Sequence, residues 1–217
     1  MRTDGDTRLI VFTRLPRPGA VKTRLIPLLG AEGAAALHVR LIERTLATAR
    51  AAGIGTTELH CAPDCDDPYI RDCASRHHVA LLAQEHGDLG ARMAFAMRRA
   101  LARSRHAVLI GTDCAVLKAR HLWQAREALR AGVEAVLVPA EDGGYALIGL
   151  NRCDPRLFRE ITWGSAAVMN QTRDRLSELG WRWQELETLW DIDRPEDYRR
   201  LLALRLIDPI PDSDSPA

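Results

Sequence analysis

The chain has 217 residues, of which 47% are hydrophobic and 27% charged, and its formal net charge is +1. This length and composition predict a single soluble globular domain, and the balanced charge argues against nonspecific binding of nucleic acid. Aromatic residues make up only 5% of the chain, and no basic stripe alternates with rings that stack on bases, which disfavours a nucleic-acid enzyme. We expect one domain over residues 1–207 and a frayed tail over 208–217.

Three features of the sequence predict a cytoplasmic protein with no membrane partner. No apolar run approaches the length needed to span a bilayer, and the N-terminal residues lack the apolar core of a signal peptide. The chain has five cysteines, and this odd number fits reduced thiols better than a disulfide framework.

Three of the cysteines lie close in sequence to three histidines, which raises the question of a soft-metal site. The spacing matches no standard zinc pattern, so we expect partly buried thiols and surface histidines instead. The residues concerned are Cys61, Cys65, Cys73, His60, His77 and His78.

A basic loop follows the first predicted strand, Leu9–Phe12. Cations in this loop alternate with proline and glycine, so their donors can converge on an anion such as a phosphate chain. The loop lacks the first glycine of a Walker motif and is not a dinucleotide-binding turn. The alternative is an ordinary solvated basic surface. The candidate phosphate-binding residues are Arg14, Gly19, Lys22 and Arg24.

The next elements alternate between helix and strand. An Ala-rich segment after Gly30 has apolar residues at helical spacing and ends before Gly53, which predicts a helix that covers the sheet. A second strand over residues 56–62, a short helix over 69–76 and a third strand over 79–83 complete a βαβαβ pattern.

A polar turn, Gln84–Arg92, follows the third strand and runs into a helix with apolar residues at i, i+4 spacing. The amide of Gln84 offers both a donor and an acceptor, as a nucleobase edge requires, and Gly90 would let the backbone approach a flat ring. The alternative is a polar turn in which Asp88 caps the helix.

Asp113 follows a fourth strand that begins at Val108. A carboxylate at the end of such a strand can hold Mg²⁺ or Mn²⁺, because these hard cations prefer oxygen ligands and leave positions for substrate phosphates. The alternative is that Asp113 caps the helix predicted from about Lys118 to Arg130.

A fifth strand over residues 134–139 is followed by polar residues and then by another apolar run. The two glycines between them are also typical of a plain hairpin turn. If the turn lies at the rim of the sheet, its oxygens can hold the hydroxyls of a sugar or another acceptor. The candidate residues are Glu141, Asp142, Gly143, Gly144 and Tyr145.

The last third of the chain contains two further candidates. Trp163 precedes a helix that carries Val168 and Leu176, and it is either a core residue or a flank for a ligand ring. A last strand over residues 181–187 leads to Asp193, which is followed three residues later by Glu196 in a predicted capping box. The carboxylate of Asp193, like that of Asp191, is also an oxygen ligand that the fold can place opposite Asp113.

Six motifs in this order resemble the small bacterial transferases known as arsenosugar-biosynthesis-type glycosyltransferases. These are related in fold to molybdenum-cofactor guanylyltransferase and phospholactate guanylyltransferase. The resemblance covers the chain from about Leu9 to Tyr198. The motifs are FTRLPRPGAVKTRL, Gln84 with GDLGARM, GTDC, EDGGYALIGL, TWGS and DIDRPED.

The resemblance implies a nucleotide-diphospho-sugar transferase (GT-A) fold, a three-layer αβα sandwich with a mostly parallel sheet. It also implies that Lys22 and Arg24 hold phosphates and that the turn from Gln84 to Arg92 lies against the base and ribose. Asp113 matches the metal-binding aspartate of the family, with Asp193 as its partner across the site. The segment from Glu141 to Tyr145 then faces the acceptor or the donor sugar.

The chain departs from the family pattern at two places. Ala115 replaces the usual proline after the Thr-Asp-Cys step, which is expected to loosen the metal loop. Thr13-Arg14 replaces the usual Ala-Lys, which keeps the charge but changes the shape.

We therefore predict a metal-dependent glycosyltransferase that uses a nucleotide-diphospho-sugar donor and a small-molecule acceptor. In this mechanism Lys22, Arg24 and the metal ion stabilise the leaving phosphate, and Asp142 or Glu141 accepts the acceptor's proton. One alternative is nucleotidyl transfer from a nucleoside triphosphate to a phosphorylated acceptor. Another is a noncatalytic nucleotide-binding domain. The sequence leaves the oligomeric state open.

Overall fold

The computed structural model describes residues 5–210, which form a seven-stranded sheet with helices on both sides. Short 3₁₀ turns occur at Thr23–Leu25 and Pro155–Phe158. The strands are β1 Thr7–Arg14, β2 Thr56–Ala62, β3 Ala80–Ala83, β4 His106–Gly111, β5 Ala135–Pro139, β6 Tyr145–Leu150 and β7 Trp183–Glu185. The helices are α1 Ile26–Ala52, α2 Pro68–Arg76, α3 Leu89–Leu101, α4 Ala119–Arg130, α5 Val168–Glu178 and α6 Pro195–Ala203.

The strand order places the ends of β1 and β4 at the point where the chain changes direction across the sheet. The order is β3-β2-β1-β4-β6-β5-β7, with β1 parallel to both β2 and β4. Among the strands of residues 5–210, only β6 runs antiparallel to its neighbours β4 and β5, so the sheet is mostly parallel. In open α/β sheets, ligands bind outside the carboxyl ends of strands where the order reverses. This topology therefore predicts a ligand site among the residues that follow β1 and β4.

Apolar side chains of β1 alternate between the two faces of the sheet. Leu9 and Val11 join a core with residues of α1, α2 and α4, whereas Ile10 and Phe12 join a second core with α3 and α5. This alternation is what a strand buried on both faces requires. The three-layer αβα sandwich predicted from the sequence is thereby confirmed.

Helix α1 begins earlier than predicted, at Ile26, and is kinked at Gly30, where φ is 68°. It ends as predicted with Gly53 in the left-handed region. The segment Thr23–Ala52 is long and apolar enough to cross a membrane by length and composition, contrary to the sequence-based expectation. In the fold it acts as a core helix, because Leu41 and Leu46 pack fully against the domain.

Residues 208–210, which the sequence assigned to the tail, pack against α6. Ile210 is buried, and its backbone N–H donates to the hydroxyl of Tyr198 at 2.9 Å. Residues 211–217 of the predicted tail lie outside the described residues.

Candidate functional site

A cleft of about 690 Å³ opens at the carboxyl ends of β1 and β4. Its walls come from the basic loop after β1, the turn before α3, the loop after β4, the β5–β6 turn and the segment before α5. The cleft therefore brings together side chains from distant parts of the sequence. The predicted site residues that line it are Arg14, Lys22, Arg24, Gln84, Arg92, Asp113, Asp142, Gly144, Tyr145, Trp163 and Asp193.

Lys22 lies at the centre of the cleft's charged wall. Its ammonium nitrogen is 2.5 Å from Asp113 Oδ1 and 3.2 Å from Asp193 Oδ1, and it donates to the carbonyl of Ile192 at 2.6 Å. The side chain is only 4% exposed, whereas about half of each carboxylate faces the cleft. The backbone of Lys22 is in the left-handed region, with φ at 47°, an uncommon conformation for a residue other than glycine.

The two carboxylates keep this buried lysine charged. Burial alone would lower the pKa of Lys22, but the charges of Asp113 and Asp193 outweigh it, so the pKa lies above its usual value. Burial likewise favours the neutral form of Asp113, but the Lys22 ammonium lowers the pKa of this carboxyl overall. Both groups of the pair are therefore ionised at neutral pH.

The carboxylate of Asp193 is available to Lys22 because it does not cap α6. The predicted capping box of Asp193 and Glu196 is wrong, because the capping box lies one residue later in the chain. The carboxylate of Asp197 instead accepts from the backbone N–H groups of Asp193 at 3.0 Å and of Arg194 at 2.8 Å. Asp193 Oδ2 lies 3.5 Å from Arg24, so this residue contacts two cations of the basic loop, Lys22 and Arg24.

Asp113 does not cap the helix that follows it. Helix α4 begins after Lys118, whose backbone N–H donates to His121 Nδ1 at 2.9 Å. The loop between β4 and α4 is fixed to other elements: the carbonyl of Asp113 accepts from Ile192 N at 3.0 Å, and that of the buried Ala115 accepts from Arg44 at 2.7 Å. The loop thus presents the Asp113 carboxylate to the cleft.

The oxygen ligands around Lys22 suit a hard divalent cation. Asp113 and Asp193 already hold one cationic group between them, and Asp191 lines the same cleft. Burial, together with the charges of Asp113 and Asp142, raises the pKa of Asp191 to about 7. A divalent ion would relieve this crowding of carboxylates, and carboxylate oxygen is the ligand that Mg²⁺ and Mn²⁺ prefer. The residues present therefore fit such an ion.

Gln84 lines the cleft, but its amide is engaged by the protein itself. The side-chain nitrogen donates to the carbonyls of Thr13 at 2.9 Å and His60 at 3.0 Å, and the side-chain oxygen accepts from Arg92 at 3.1 Å. The amide joins the ends of β1 and β2 and orients the guanidinium of Arg92. The alternative role for Asp88 also holds, since its carboxylate caps α3 through the N–H of Ala91 at 2.8 Å.

Gly90 does not line the cleft, but it lets the Trp163 loop pack against α3. A Cβ atom at Gly90 would lie 2.5 Å from the carbonyl oxygen of Phe158 and 2.8 Å from Trp163 Nε1. Trp163 in turn meets Tyr145 edge to face, with ring centroids 6.3 Å apart. The Trp163 ring thus contacts the hydrophobic core and also borders the cleft.

The β5–β6 connection is a hairpin turn, as one interpretation of the two glycines predicts. Ala140 N donates to Gly144 O at 3.0 Å, and the carboxylate of Asp142 accepts from Gly144 N at 2.9 Å. Gly143 lies outside the cleft because it packs against the backbone of Ala166. A Cβ atom added at Gly143 would lie 2.3 Å from the carbonyl oxygen of Ala166. Asp142 and Gly144 remain in the cleft wall.

Two further candidates lie outside the cleft wall. The carboxylate of Glu141 pairs with Arg200 at 2.8 and 3.2 Å on the exposed side of the turn. Gly19 has φ at 77° within the basic loop and supports a turn rather than a direct contact with the cleft.

His38, a buried residue of α1, lines the cleft although it was not among the predicted site residues. Its Nε2 lies 3.2 Å from the carbonyl of Arg14 and 3.4 Å from Thr13 Oγ1, which is itself 3.4 Å from Thr112 Oγ1. His38 therefore ties α1 to the end of β1 beside the site. The available indication was an imidazole on the same helical face as Leu41, where an apolar residue is expected.

The prediction of surface histidines holds for His78, which is exposed, but it is wrong for His60 and for His77, whose side chain is only 9% exposed. His60 of β2 is buried, stacks on Phe12 with ring centroids 5.7 Å apart and lies 3.1 Å from the carboxylate of Glu58. Cys61 and Cys73 are fully buried, and Cys65 is partly so.

Comparison with known proteins supports the assignment of the fold. The model of the family described as uncharacterized protein conserved in bacteria (DUF2064) matches residues 45–165. A proposed nucleotide-diphospho-sugar transferase from Desulfovibrio desulfuricans G20 is 29% identical, with a TM-score of 0.83, and the match covers 91% of this chain and 86% of that one. A search of curated proteins gives no match.

More distant structures share the fold. The 4-diphosphocytidyl-2C-methyl-D-erythritol synthase from Anaerococcus prevotii is 11% identical with a TM-score of 0.62, and the match covers 92% of this chain and 96% of that one. Glucosyl-3-phosphoglycerate synthase from Mycobacterium tuberculosis, in complex with Mn²⁺ and UDP, is 10% identical with a TM-score of 0.57, over 93% and 77%. At these identities the likeness establishes the fold alone. The chain belongs to the DUF2064 family and has the nucleotide-diphospho-sugar transferase fold.

Proposed function

We propose that the protein is a metal-dependent glycosyltransferase that uses a nucleotide-diphospho-sugar donor. The observation that carries the proposal is the convergence of Lys22, Asp113 and Asp193 in a single cleft at the switch point of the sheet. The ammonium group can bind a diphosphate, and the carboxylates beside it can bind the divalent ion that accompanies the diphosphate. The similarity to the Desulfovibrio protein favours a sugar nucleotide as donor.

The residues of this chain account for binding and for charge stabilisation. Lys22 and Arg24 lie on the same side of the cleft as Asp193 and are placed to share the negative charge that develops on the leaving diphosphate. Arg92, oriented by Gln84, adds a planar guanidinium that suits a phosphate. A divalent ion held by Asp113 and Asp193 would supply Lewis-acid stabilisation of the same charge.

We assign the proton acceptor to Asp142. Its carboxylate lines the cleft and, among residues 5–210, is held by a single backbone hydrogen bond from Gly144, which leaves its other oxygen for an acceptor hydroxyl. Glu141, the other candidate, is engaged by Arg200 on the outer side of the turn. Tyr145 and Trp163 complete the wall beside Asp142 and fit the apolar face of a sugar ring.

Nucleotidyl transfer is the second candidate, because the same fold occurs in cytidylyltransferases such as the synthase from Anaerococcus prevotii. In this reaction a phosphorylated acceptor attacks the α-phosphorus of a nucleoside triphosphate and pyrophosphate leaves. Lys22, Arg24 and the metal would then stabilise pyrophosphate instead of a nucleoside diphosphate. A small-molecule acceptor is common to both reactions.

A panel experiment separates these reactions. The purified protein is incubated with Mg²⁺ or Mn²⁺ and each of a set of sugar nucleotides and nucleoside triphosphates, and the released products are measured. Release of nucleoside diphosphate supports glycosyl transfer, whereas release of pyrophosphate supports nucleotidyl transfer. Binding without either product, unchanged in Asp113→Asn, would indicate a noncatalytic nucleotide-binding domain and contradict the proposal.

We place the reaction in the cytoplasm. The five cysteines are all free, which fits a reducing compartment. Fractionation of the source cells, followed by detection of the protein, tests this location.

A further inference from the structure

Three potential metal ligands meet between α1 and α2, away from the cleft. They are the carboxylate of Glu43, the thiol of Cys73 and the imidazole of His77, and their ligand atoms all lie within 4.8 Å of one another. Cys73 and His77 are four positions apart at the end of α2, so they share one face of the helix. None of the three lines the cleft.

We propose that Glu43, Cys73 and His77 form a binding site for a divalent ion of the Zn²⁺ class. Thiolate, imidazole and carboxylate are the three kinds of ligand that Zn²⁺ accepts in proteins. The hard oxygen ligands around Asp113 favour a different ion, because Mg²⁺ and Mn²⁺ bind thiolate poorly. This proposal is therefore independent of the function proposed for the cleft.

The geometry suits a tetrahedral ion. With bond lengths of about 2.0 to 2.3 Å, neighbouring ligand atoms in such a site are roughly 3.3 to 3.6 Å apart. His77 Nε2 and Glu43 Oε2 are 2.6 Å apart in the structure. To bind an ion between them, these two atoms must move apart by less than about 1 Å. The thiol of Cys73 is buried, and the side chain of His77 is 9% exposed, so both ligands are largely shielded from water.

The surroundings can orient the site. The hydroxyl of Tyr69 lies within donating distance of Glu43 Oε1, at 3.3 Å, and of the carbonyl of Val39, also at 3.3 Å. The guanidinium of Arg76 contacts Glu43 at 2.6 and 3.2 Å and also pairs with Asp72 at 2.6 Å. Carboxylates that bind metals are commonly held by such neighbours, which orient them.

Binding would replace the thiol proton of Cys73 by the ion and release that proton to solvent, with no change of oxidation state. The proton that His77 Nε2 shares with Glu43 would be displaced as well and carried by Nδ1 of the same ring, so that a neutral imidazole binds the ion. The ion would join Glu43 of α1 to the two ligands at the end of α2. Because it binds the folded chain and links two helices, it would stabilise the domain, and the free energy of unfolding would rise with the logarithm of the free ion concentration above the dissociation constant.

Co²⁺ is the probe for the test, since it takes tetrahedral zinc sites and gives an absorption band when a thiolate is bound. The full-length protein is treated with a chelator and titrated with Co²⁺ in the absence of nucleotide. We expect a thiolate-to-metal band that saturates at one ion per chain and disappears when Zn²⁺ is added. Co²⁺ bound by the carboxylates of the cleft alone gives no thiolate band, and the variants described next distinguish Cys73 from Cys114, the thiol that lines the cleft.

Matched variants locate the site. The band should be lost in Cys73→Ser and His77→Asn and retained in Cys153→Ser and His78→Asn, which alter a thiol and an imidazole outside the cluster. Absence of the band in the natural protein, or its survival in Cys73→Ser, would overturn the proposal and leave a hydrogen-bonded ion-pair network.

A second measurement does not depend on the folding of the variants. Zn²⁺ should slow alkylation of Cys73 in the natural protein at least tenfold and leave alkylation of Cys153 unchanged, as read by peptide mass spectrometry. Equal rates for Cys73 with and without Zn²⁺ would also overturn the proposal.

Discussion

Lys22 and Asp193 are 171 positions apart in the chain, yet the ammonium of one lies 3.2 Å from the carboxylate of the other. The same ammonium reaches Asp113 at 2.5 Å, so one lysine joins the basic loop after β1 to two acidic segments. The charged wall of the cleft therefore consists of one ammonium held between two carboxylates. It places a buried cation at the point where both proposed reactions need positive charge.

Replacement of Lys22 should reduce turnover much more than it reduces folding. In Lys22→Met, we expect kcat/KM for the substrate selected by the panel to fall 10²- to 10³-fold, or about 2.7–4 kcal/mol, because a charge that stabilises the leaving phosphate is lost. Lys118 is the only other lysine in the sequence, and it is exposed outside the cleft. Lys118→Met is therefore the matched control. A loss of less than threefold in Lys22→Met would contradict the role given to this ammonium.

Gln84 should act through Arg92. Gln84→Ala removes the acceptor that orients the Arg92 guanidinium, and we expect about tenfold weaker nucleotide binding, or about 1.4 kcal/mol, by calorimetry. The double variant Gln84→Ala/Arg92→Ala should bind no more weakly than Arg92→Ala alone, because the two residues work as a unit. Additive losses would show that Gln84 contacts the nucleotide by itself. Gln124→Ala, on the exposed side of α4, should bind normally.

Gly90 should be intolerant of a side chain for a structural reason. The added methyl group of Gly90→Ala would lie 2.5 Å from the carbonyl of Phe158, so the Trp163 loop must shift. We expect a loss of about 1–3 kcal/mol in the free energy of unfolding, together with weaker substrate binding. Gly5→Ala, which meets no atom within 4 Å, should leave both unchanged. An unaltered unfolding curve for Gly90→Ala would mean that the loop is free to move.

Glu58 is buried and contacts both His60 and Arg8, and these contacts should make the stability of the fold depend on pH. The hydrogen bond from His60 outweighs burial, and with the charge of Arg8 it lowers the pKa of Glu58 below its ordinary value of 4.5. A carboxyl with a lowered folded-state pKa contributes stability above pH 4.5, and this contribution is lost as the pH falls through the folded-state pKa. The free energy of unfolding should therefore decrease steeply in acid.

The variant Glu58→Gln tests the contribution of this carboxyl to the free energy of unfolding. We expect it to lower the free energy of unfolding by about 3 kcal/mol near neutral pH, since it leaves the largely buried guanidinium of Arg8 without its carboxylate partner, and to show a shallower acid dependence in denaturant titrations. Glu127→Gln alters an exposed ion pair on α4 and should change stability by less than about 0.5 kcal/mol. Parallel acid profiles for the natural protein and Glu58→Gln would contradict this account.

Much of the fold could be predicted because local signals and the apolar pattern agree. Strand β2 has the predicted bounds, and the predicted end of α1 before Gly53 is correct. Helix α3 follows the polar turn as predicted, but it begins at Leu89, within the predicted turn Gln84–Arg92. The start of α1 was missed because Pro27 at the first turn and the kink at Gly30 resemble a break in sequence. The last strand is shorter than predicted, because Trp183–Glu185 pairs only with the edge formed by β5.

The candidate site was harder to predict in detail, since its contacts are long-range. The sequence placed Lys22, Asp113 and Asp193 at strand ends but gave no means to see that one ammonium would join both carboxylates. It also assigned to Gln84 a contact with a base, although the amide is engaged by backbone carbonyls of two strands. Hydrogen bonds between distant segments leave no periodic pattern in the chain.

The most direct test of the central claim is anomalous diffraction from crystals grown with Mn²⁺ and the nucleotide selected by the panel. The account predicts a manganese peak bound by carboxylate oxygens of Asp113 and Asp193, with a diphosphate within reach of Lys22 and Arg24. A nucleotide bound elsewhere on the domain, or a manganese peak remote from both carboxylates, would contradict it.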